Sequence, residues 1–312
     1  MSATQPERFI ESARQHDRTS FFKYMPLSTA EIVLTNGTLR WSSPLRFNDP
    51  FDVPRSLFHG VTAAQMREAV ARDMLEIYKS PPADDEDFID DVRSMIAAAK
   101  RMQGQIDFDS VEERLLADSE ADAIHDQAGG KALSELQAHW QRLLPTLRVL
   151  CLSEDPSHVA MWHHYADKYK GVVIEVRCID RLDSSWLAAR KVTYPTEKPA
   201  VYSAVGLASL LRYKSLKLAN MMGRIAIETK SPDWSYEKEW RIFTYEDRTD
   251  MGDSTFSDYP FAREELASVY IGPLCEEPEK VLTLAATYPD VRAFKASVGH
   301  FRELEFEPIE LN

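Results

Sequence analysis

Glu237 and Glu239 flank Lys238 and lead into Trp240 and Arg241, the densest grouping of charge and aromatic surface in the chain. If a strand begins by Glu237, residues 237, 239 and 241 share one face and Trp240 and Ile242 the other. Two carboxylates beside a guanidinium can act as a general base or stabilise developing positive charge, with Arg241 holding the acid in place. The same three side chains can equally form a buried ion pair that fixes strand register. A second grouping, Met161-Trp162-His163-His164-Tyr165-Ala166, places Trp162, Tyr165 and Tyr169 on one helical face and Met161 and His164 on its neighbour. His164 or Tyr165 would face a pocket in the functional reading. In the plainer reading the stripe is core, and its polar ends need partners, for which Asn48, Asp49 and Asp52 are candidates. A metal site is not indicated, since His163 and His164 are adjacent and point apart, and His158 forms no i, i+4 pair with either.

Asn48, Asp49 and Asp52 belong to a third grouping, Arg46-Phe47-Asn48-Asp49-Pro50-Phe51-Asp52. Asn and Asp side chains bond nearby backbone and Pro fixes φ, so this segment predicts a rigid, shaped loop. The function question is whether the three groupings meet in space.

The elements that must position them are legible in outline. Phe21–Tyr24 reads as a strand, followed by a helix capped by Ser28 and stopped at Asn36-Gly37. Residues 38–42 form a second strand, closed by Pro44. Between 61 and 145, apolar residues recur at helical spacing (Met66, Val70, Met74 and Ile77; Phe88, Val92, Met95 and Ile96; then Leu115, Leu116, Leu133, Leu136, Trp140, Leu143 and Leu144). Breaks are expected at 80–85 and at Ala128-Gly129-Gly130, giving three or four helices with a structural role. Strands are expected at 149–153, 171–176, 191–194, 240–245 and 268–272, with helices across much of 200–229 and near 277–286, and final strands near 291–297 and 304–309. Strand and helix do not alternate strictly, and no glycine-rich turn follows a strand. The pattern predicts an α+β fold with a mixed, largely antiparallel sheet. The expected organisation is 1–60 as the first part of that core, 61–145 as a helical insertion, and 146–312 as the remainder.

Composition narrows the function classes. A hydrophobic content of 44% supports a substantial core, and no apolar run is long enough to span a membrane. The first residues lack a signal pattern, and Cys151, Cys178 and Cys275 are too few and scattered for a disulfide framework, so a reduced, cytoplasmic protein is expected. The net charge of -13 argues against general nucleic-acid binding. Residues 190–230 nevertheless hold eight basic groups against Glu197 and Glu228, a stretch that could guide a phosphate-bearing or nucleic-acid substrate. Nucleophile-elbow, P-loop, dinucleotide, zincin and calcium-loop motifs are missing, and Cys151 within an apolar strand reads as an inert thiol.

Taken in order, Lys23-Tyr24, Leu39-Arg40-Trp41-Ser42-Ser43-Pro44 and Phe47-Asn48-Asp49-Pro50-Phe51-Asp52 resemble the opening of the bacterial domain-of-unknown-function family 2971 (DUF2971). Cys151-Leu152-Ser153-Glu154, Met161-Trp162-x-His164-Tyr165-Ala166 with Gly171, and Lys230 leading to Trp234-x-Tyr236-Glu237-x-Glu239-Trp240-Arg241 resemble its later blocks. The likeness spans about residues 21 to 300 and names no reaction. The strand, capped helix, second strand and late Glu-led strand also look similar to ADP-ribosyltransferases of the toxin and DNA-modifying kind. That resemblance implies an NAD-consuming enzyme, with phage defence as one setting. Lys23 and Tyr24 would stand at the first-strand position, Tyr165 or Trp162 would stack on nicotinamide, and Glu237 or Glu239 would be the acid. Lys23 replaces the usual His or Arg of such enzymes, and their second-strand Ser-Thr-Ser is not matched. Catalysis is thus expected from Glu237, Glu239 and His164. Binding is expected from Lys23, Tyr24, Asn48, Asp49, Asp52, Trp162, Tyr165 and Arg241, with NAD as substrate. The competing expectations are a non-catalytic binding or effector module with structural clusters, and a hydrolase that sets Asp49, Asp52 and Glu239 around a divalent ion.

Overall fold

A computed structural model describes residues 14–55, 60–83, 86–102, 107, 122–197, 202–247 and 254–311. Its elements begin β1 (Ser20–Met25), α1 (Leu27–Asn36), β2 (Thr38–Ser42), α2 (Ala63–Lys79), α3 (Asp90–Met102), α4 (Asp122–Leu143), β3 (Leu147–Ser153) and α5 (Val159–Tyr165). They continue with β4 (Val172–Arg177), β5 (Arg190–Lys191), α6 (Ala204–Leu210), α7 (Ser215–Glu228), β6 (Glu239–Tyr245), β7 (Phe256–Pro260), β8 (Leu266–Ile271), α8 (Pro278–Ala285), β9 (Arg292–Val298) and β10 (Leu304–Ile309). The chain divides into two compact units. One comprises Met1–Asp52, Pro145–Tyr194 and Ile227–Asn312, and the other Val53–Leu144 and Pro195–Ala226.

The first unit is built on one sheet in the order β10-β9-β8-β4-β1-β3-β2-β7, with β6 pairing β3 and β5 pairing β6. Among the described strand pairs only β8 and β9 run parallel, so the fold is α+β with a mixed, largely antiparallel sheet. Alternation along β1 sends Phe21 and Met25 into one core with Val33 and Leu34 of α1, and Phe22 and Tyr24 into another with Trp162 and Tyr270. The order of pairing leaves a gap. β3 pairs β6 over all seven of its residues. On its other edge it meets β1 only at Phe22↔Ser153 and β2 only at Ser42↔Val149. Between those two points the Cys151 carbonyl accepts a hydrogen bond of 2.8 Å from Lys23 Nζ instead of a strand partner.

The second unit is helical among its described residues. Thr62 and Gln65 form a capping box at the start of α2, which buries Met66, Ala69, Leu75 and Ile77. Trp140 of α4 is fully buried and donates through Nε1 to the Pro54 carbonyl at 2.8 Å.

Several local expectations need correction. Ser28 does not cap α1: the N-cap is Pro26, without a side-chain hydrogen bond. Gly37 does stop the helix, at φ 64° with its N–H bonded to the Val33 carbonyl. No break occurs at Ala128-Gly129-Gly130, through which α4 runs continuously. Two helical glycines cost about 1 kcal/mol each, less than α4 recovers by burying Leu136, Trp140 and Leu143. Met74, read with the apolar face, is exposed. The strand expected at 191–194 shrinks to Arg190–Lys191, with Thr193 making an isolated bridge to Thr229. β7, rich in polar residues, was not anticipated. Leu115 and Leu116 lie outside the described residues.

Candidate active site

The Asn-Asp-Pro loop is shaped by its own side chains. Ser43 Oγ accepts from Leu45 N as the chain leaves β2 through a single 3-10 turn, Pro44–Arg46. Asn48 Oδ1 then accepts from Asp49 N at 3.1 Å and Asp49 Oδ1 from Phe51 N at 2.8 Å. These turns leave Phe51 85% exposed and drive Asp52 inward.

Asp52 ends in a buried network. Arg241 is fully buried and donates to both Asp52 oxygens at 2.8 and 2.7 Å and to both Glu239 oxygens at 2.9 and 2.7 Å. Lys230 Nζ donates to Glu237 Oε2 at 2.6 Å and Glu239 Oε2 at 3.2 Å, and lies 3.5 Å from Asp52 Oδ2. Glu237 Oε1 accepts from the Tyr165 hydroxyl at 2.6 Å. Three carboxylates therefore face two cations in a space nearly closed to water. The two glutamates respond oppositely. Burial pushes Glu239 up, but the charge and hydrogen bonds of Arg241, with Lys230 behind them, hold it at about 2. Glu237 is raised, first by burial and then by the negative charge of Glu239, against the opposing pull of Lys230 and Tyr165. Burial likewise raises the Tyr165 hydroxyl and the Cys151 thiol, so neither is anionic near neutral pH.

Glu237 is not on the strand. It closes a 3-10 turn, Pro232–Glu237, and Lys238 adopts φ 45° before β6 begins at Glu239. This left-handed residue turns the backbone so that both glutamates reach Lys230. A second left-handed passage, Asp167, Lys168 and Tyr169 at φ 44°, 51° and 71°, follows α5 and returns the chain to β4. Gly171 completes that return, and a Cβ there would stand 2.2 Å from the Met25 carbonyl of β1.

A cavity of about 330 Å³ opens at the gap between β1, β2 and β3. Phe22, Phe47 and Tyr165 supply aromatic wall, Glu237, Glu239 and Asp52 the acidic floor, and Lys23, Arg40, Arg46 and Asn48 further polar groups. Arg40 is held by Asp258 at 2.9 and 3.0 Å. Lys23 bonds a backbone carbonyl and Arg46 the Thr255 hydroxyl, and among the described residues neither forms an ion pair.

The three sequence groupings thus converge through Asp52, Tyr165, Glu237, Glu239 and Arg241. Lys23, Tyr24, Asn48, Asp52, Tyr165, Glu237 and Glu239 line the cavity, and Arg241 braces its floor from behind. Asp49 serves the loop. Trp162 is fully buried with Nε1 donating to the Pro156 carbonyl at 2.7 Å, so its partner is not in the Asn-Asp-Pro loop. His164 is exposed, beside Trp234 and Tyr236, and does not line the cavity. The central role of Lys230 was missed: the sequence shows it as one cation of the 190–230 stretch and as the residue leading into the Trp234–Arg241 block, with no role attached. The other described members of that stretch do not form a free basic surface. Arg212 pairs with Asp73, Lys217 with Asp87, Arg190 with Glu228 and Lys191 with Glu154. Lys214 bonds the Glu86 carbonyl, and Arg224 is not free. Lys198 lies outside the described residues. Among the described residues no group of three or more His, Cys, Asp or Glu side chains could hold a metal ion. Nor is any helix there long and apolar enough to cross a membrane.

No curated protein and no solved structure matches the chain. The segment that carries Tyr165, Lys230, Glu237, Glu239 and Arg241, residues 161–242, matches the model of the family described as protein of unknown function (DUF2971), the family its motifs resemble.

Proposed function

We propose that the cavity is the active site of an NAD-consuming glycosyl-transfer enzyme, similar in chemistry to ADP-ribosyltransferases. The observation that carries this reading is Glu237: a buried acid in the floor of the cavity whose walls bring Lys23 and Arg46, neither with a carboxylate partner among the described residues. Cations with donors left over for a phosphate and an acid placed to meet positive charge suit a substrate that is anionic at one end and becomes cationic at the other. Cleavage of the nicotinamide–ribose bond has that character. The C–N bond breaks, its electron pair leaves with the ring nitrogen, which becomes neutral, and the ribosyl carbon takes on positive charge. Glu237 stabilises that charge and accepts the proton of the acceptor hydroxyl as the new C–O bond forms. The volume lies at the small end of the usual range for ligand pockets, ~300–1,000 Å³, which suits one half of a dinucleotide.

Glu239 and Asp52 have a different part. All four of their carboxylate oxygens are engaged by Arg241, which favours a scaffold role and leaves no open acceptor set for the divalent-ion hydrolase reading. A setting in phage defence rests on the resemblance alone. The test is nicotinamide release from NAD, assayed with protein and nucleic-acid acceptors. Release by the native chain and its loss in Glu237→Gln are expected, and no release with any acceptor would overturn the reading.

A further inference from the structure

The floor of the cavity is built where the chain passes between its two units. Asp52 is the last residue before one passage and Tyr194 the last before another. The Tyr194 hydroxyl accepts from Glu239 N at 2.9 Å, and Lys230 lies on the segment that returns after Ala226. At the first passage the chain is also held on its far side. Trp140, fully buried in α4, donates to the Pro54 carbonyl, and Gln141 donates through Nε2 to the Arg55 carbonyl at 2.8 Å. Val53, between Asp52 and these carbonyls, is buried as well.

The last turn of α4 leads through Pro145 into β3, which pairs with β6 from Leu147↔Tyr245 to Ser153↔Glu239. Arg241 belongs to β6. The contacts therefore close a ring: Asp52 to Arg241, β6 to β3, β3 back along the chain to Trp140, and Trp140 to Pro54. Each link of a ring limits the play of the others. Freed at Pro54, Asp52 needs to move only about 1 Å for its oxygens to leave hydrogen-bond range of Arg241. The grip of Arg241 and Lys230 would then fall on the two glutamates alone. We infer that Trp140 is a positioning residue of the cavity: through Pro54 it sets where Asp52 meets Arg241 and Lys230. The helical segment, read from sequence as structural, thereby has a part in the site. An effect on turnover rests on the glycosyl-transfer reading, but the coupling of Trp140 to Asp52 does not.

Hydrogen–deuterium exchange of the full chain, read on peptides covering residues 46–53, tests the coupling. Trp140→Phe keeps a buried ring and removes the Nε1 donor. It is expected to speed exchange there about tenfold, the worth of one hydrogen bond. Asp52→Asn should speed it likewise, and the double variant no further than the faster single one, because both cut the same ring. Ile96→Val, buried among Ile77, Phe88 and Val92 in the same helical unit, is the control and should leave these peptides unchanged. Under conditions where all variants are folded, Trp140→Phe should lower kcat for nicotinamide release and Ile96→Val should not. Unchanged exchange over 46–53 in a Trp140→Phe protein of native circular dichroism overturns the inference, as do effects of the two substitutions that multiply. If Trp140→Phe unfolds the helical unit, Gln141→Ala, at an exposed position, takes its place: it frees the Arg55 carbonyl and must speed the same peptides. If the coupling holds and the native chain releases no nicotinamide, the positioning stands and the glycosyl-transfer reading falls.

Discussion

Arg241 grips Asp52 with two hydrogen bonds of 2.8 and 2.7 Å across 189 positions of sequence. That contact closes the Asn-Asp-Pro loop onto β6 and sets the floor of the cavity. The hydrogen bond from Tyr165 to Glu237 adds the short helix α5 to the same floor. Two side-chain pairs thus join three segments that are far apart in the chain. The guanidinium also binds Glu239, so removing it would leave two buried carboxylates with Lys230 as their sole cation among these five groups.

Arg241→Ala is therefore expected to destabilise the fold by about 3–5 kcal/mol, the usual cost of stranding one side of a buried ion pair. Chemical denaturation followed by circular dichroism measures it. A loss below about 1 kcal/mol would show that the network does not hold the fold.

Glu237 and Glu239 should separate under the same conservative change. Glu239→Gln weakens both bonds to Arg241, and the melting temperature should fall. Glu237→Gln leaves Lys230 with Glu239 and Asp52, so the melting temperature should move little while nicotinamide release drops by about 100-fold or more, as for loss of a general base. Equal effects of the two variants on both readouts would remove the distinction between acid and scaffold.

How much of this was readable beforehand depends on the range of the cause. β1, α1, β2 and the late strands follow from alternation and from Gly37, which are local signals, and the α+β class followed from them. The convergence of Asp52 with Arg241 is a long-range event that no spacing announces. Tyr165 and Glu239 reach the cavity from segments whose patterns gave only a face. Lys230 was hidden for a different reason: the family-like block marks its position but not its role, which comes from three carboxylates brought to it by the fold. The condition that a strand begins by Glu237 fails because period-two spacing is blind to the left-handed turn at Lys238.

Lys23 and Arg46 offer a test of anion binding that is separate from catalysis. Neither is buried and neither forms an ion pair among the described residues. Arg46→Ala should raise KM about tenfold with little change in melting temperature, the worth of one charge-assisted bond to phosphate, while Lys23→Ala should raise KM similarly and also lower the melting temperature, because it strands the Cys151 carbonyl. Raising the ionic strength should have the same direction of effect. A fall in kcat at constant KM would place these cations outside substrate binding.

The opposed shifts of the two glutamates separate activity from stability on the pH axis. Glu237 is raised above the ordinary glutamate value of 4.5, so it gains its proton while the pH is still above that value. An acid whose folded pKa is raised contributes stability below the unfolded pKa and loses it as pH rises, so its protonation on acidification does not unfold the protein. Glu239 is the reverse. Its folded value of about 2 means that its contribution is present above 4.5 and is lost only as the pH falls toward 2. The expected order on acidification is loss of kcat/KM first, at a pH above 4.5, with the melting temperature falling only below it. Glu239→Gln should flatten the acid limb of the melting curve, and Glu237→Gln should leave that limb in place. Activity and melting temperature falling together over one pH range would refute the assignment of chemistry to Glu237 and stability to Glu239.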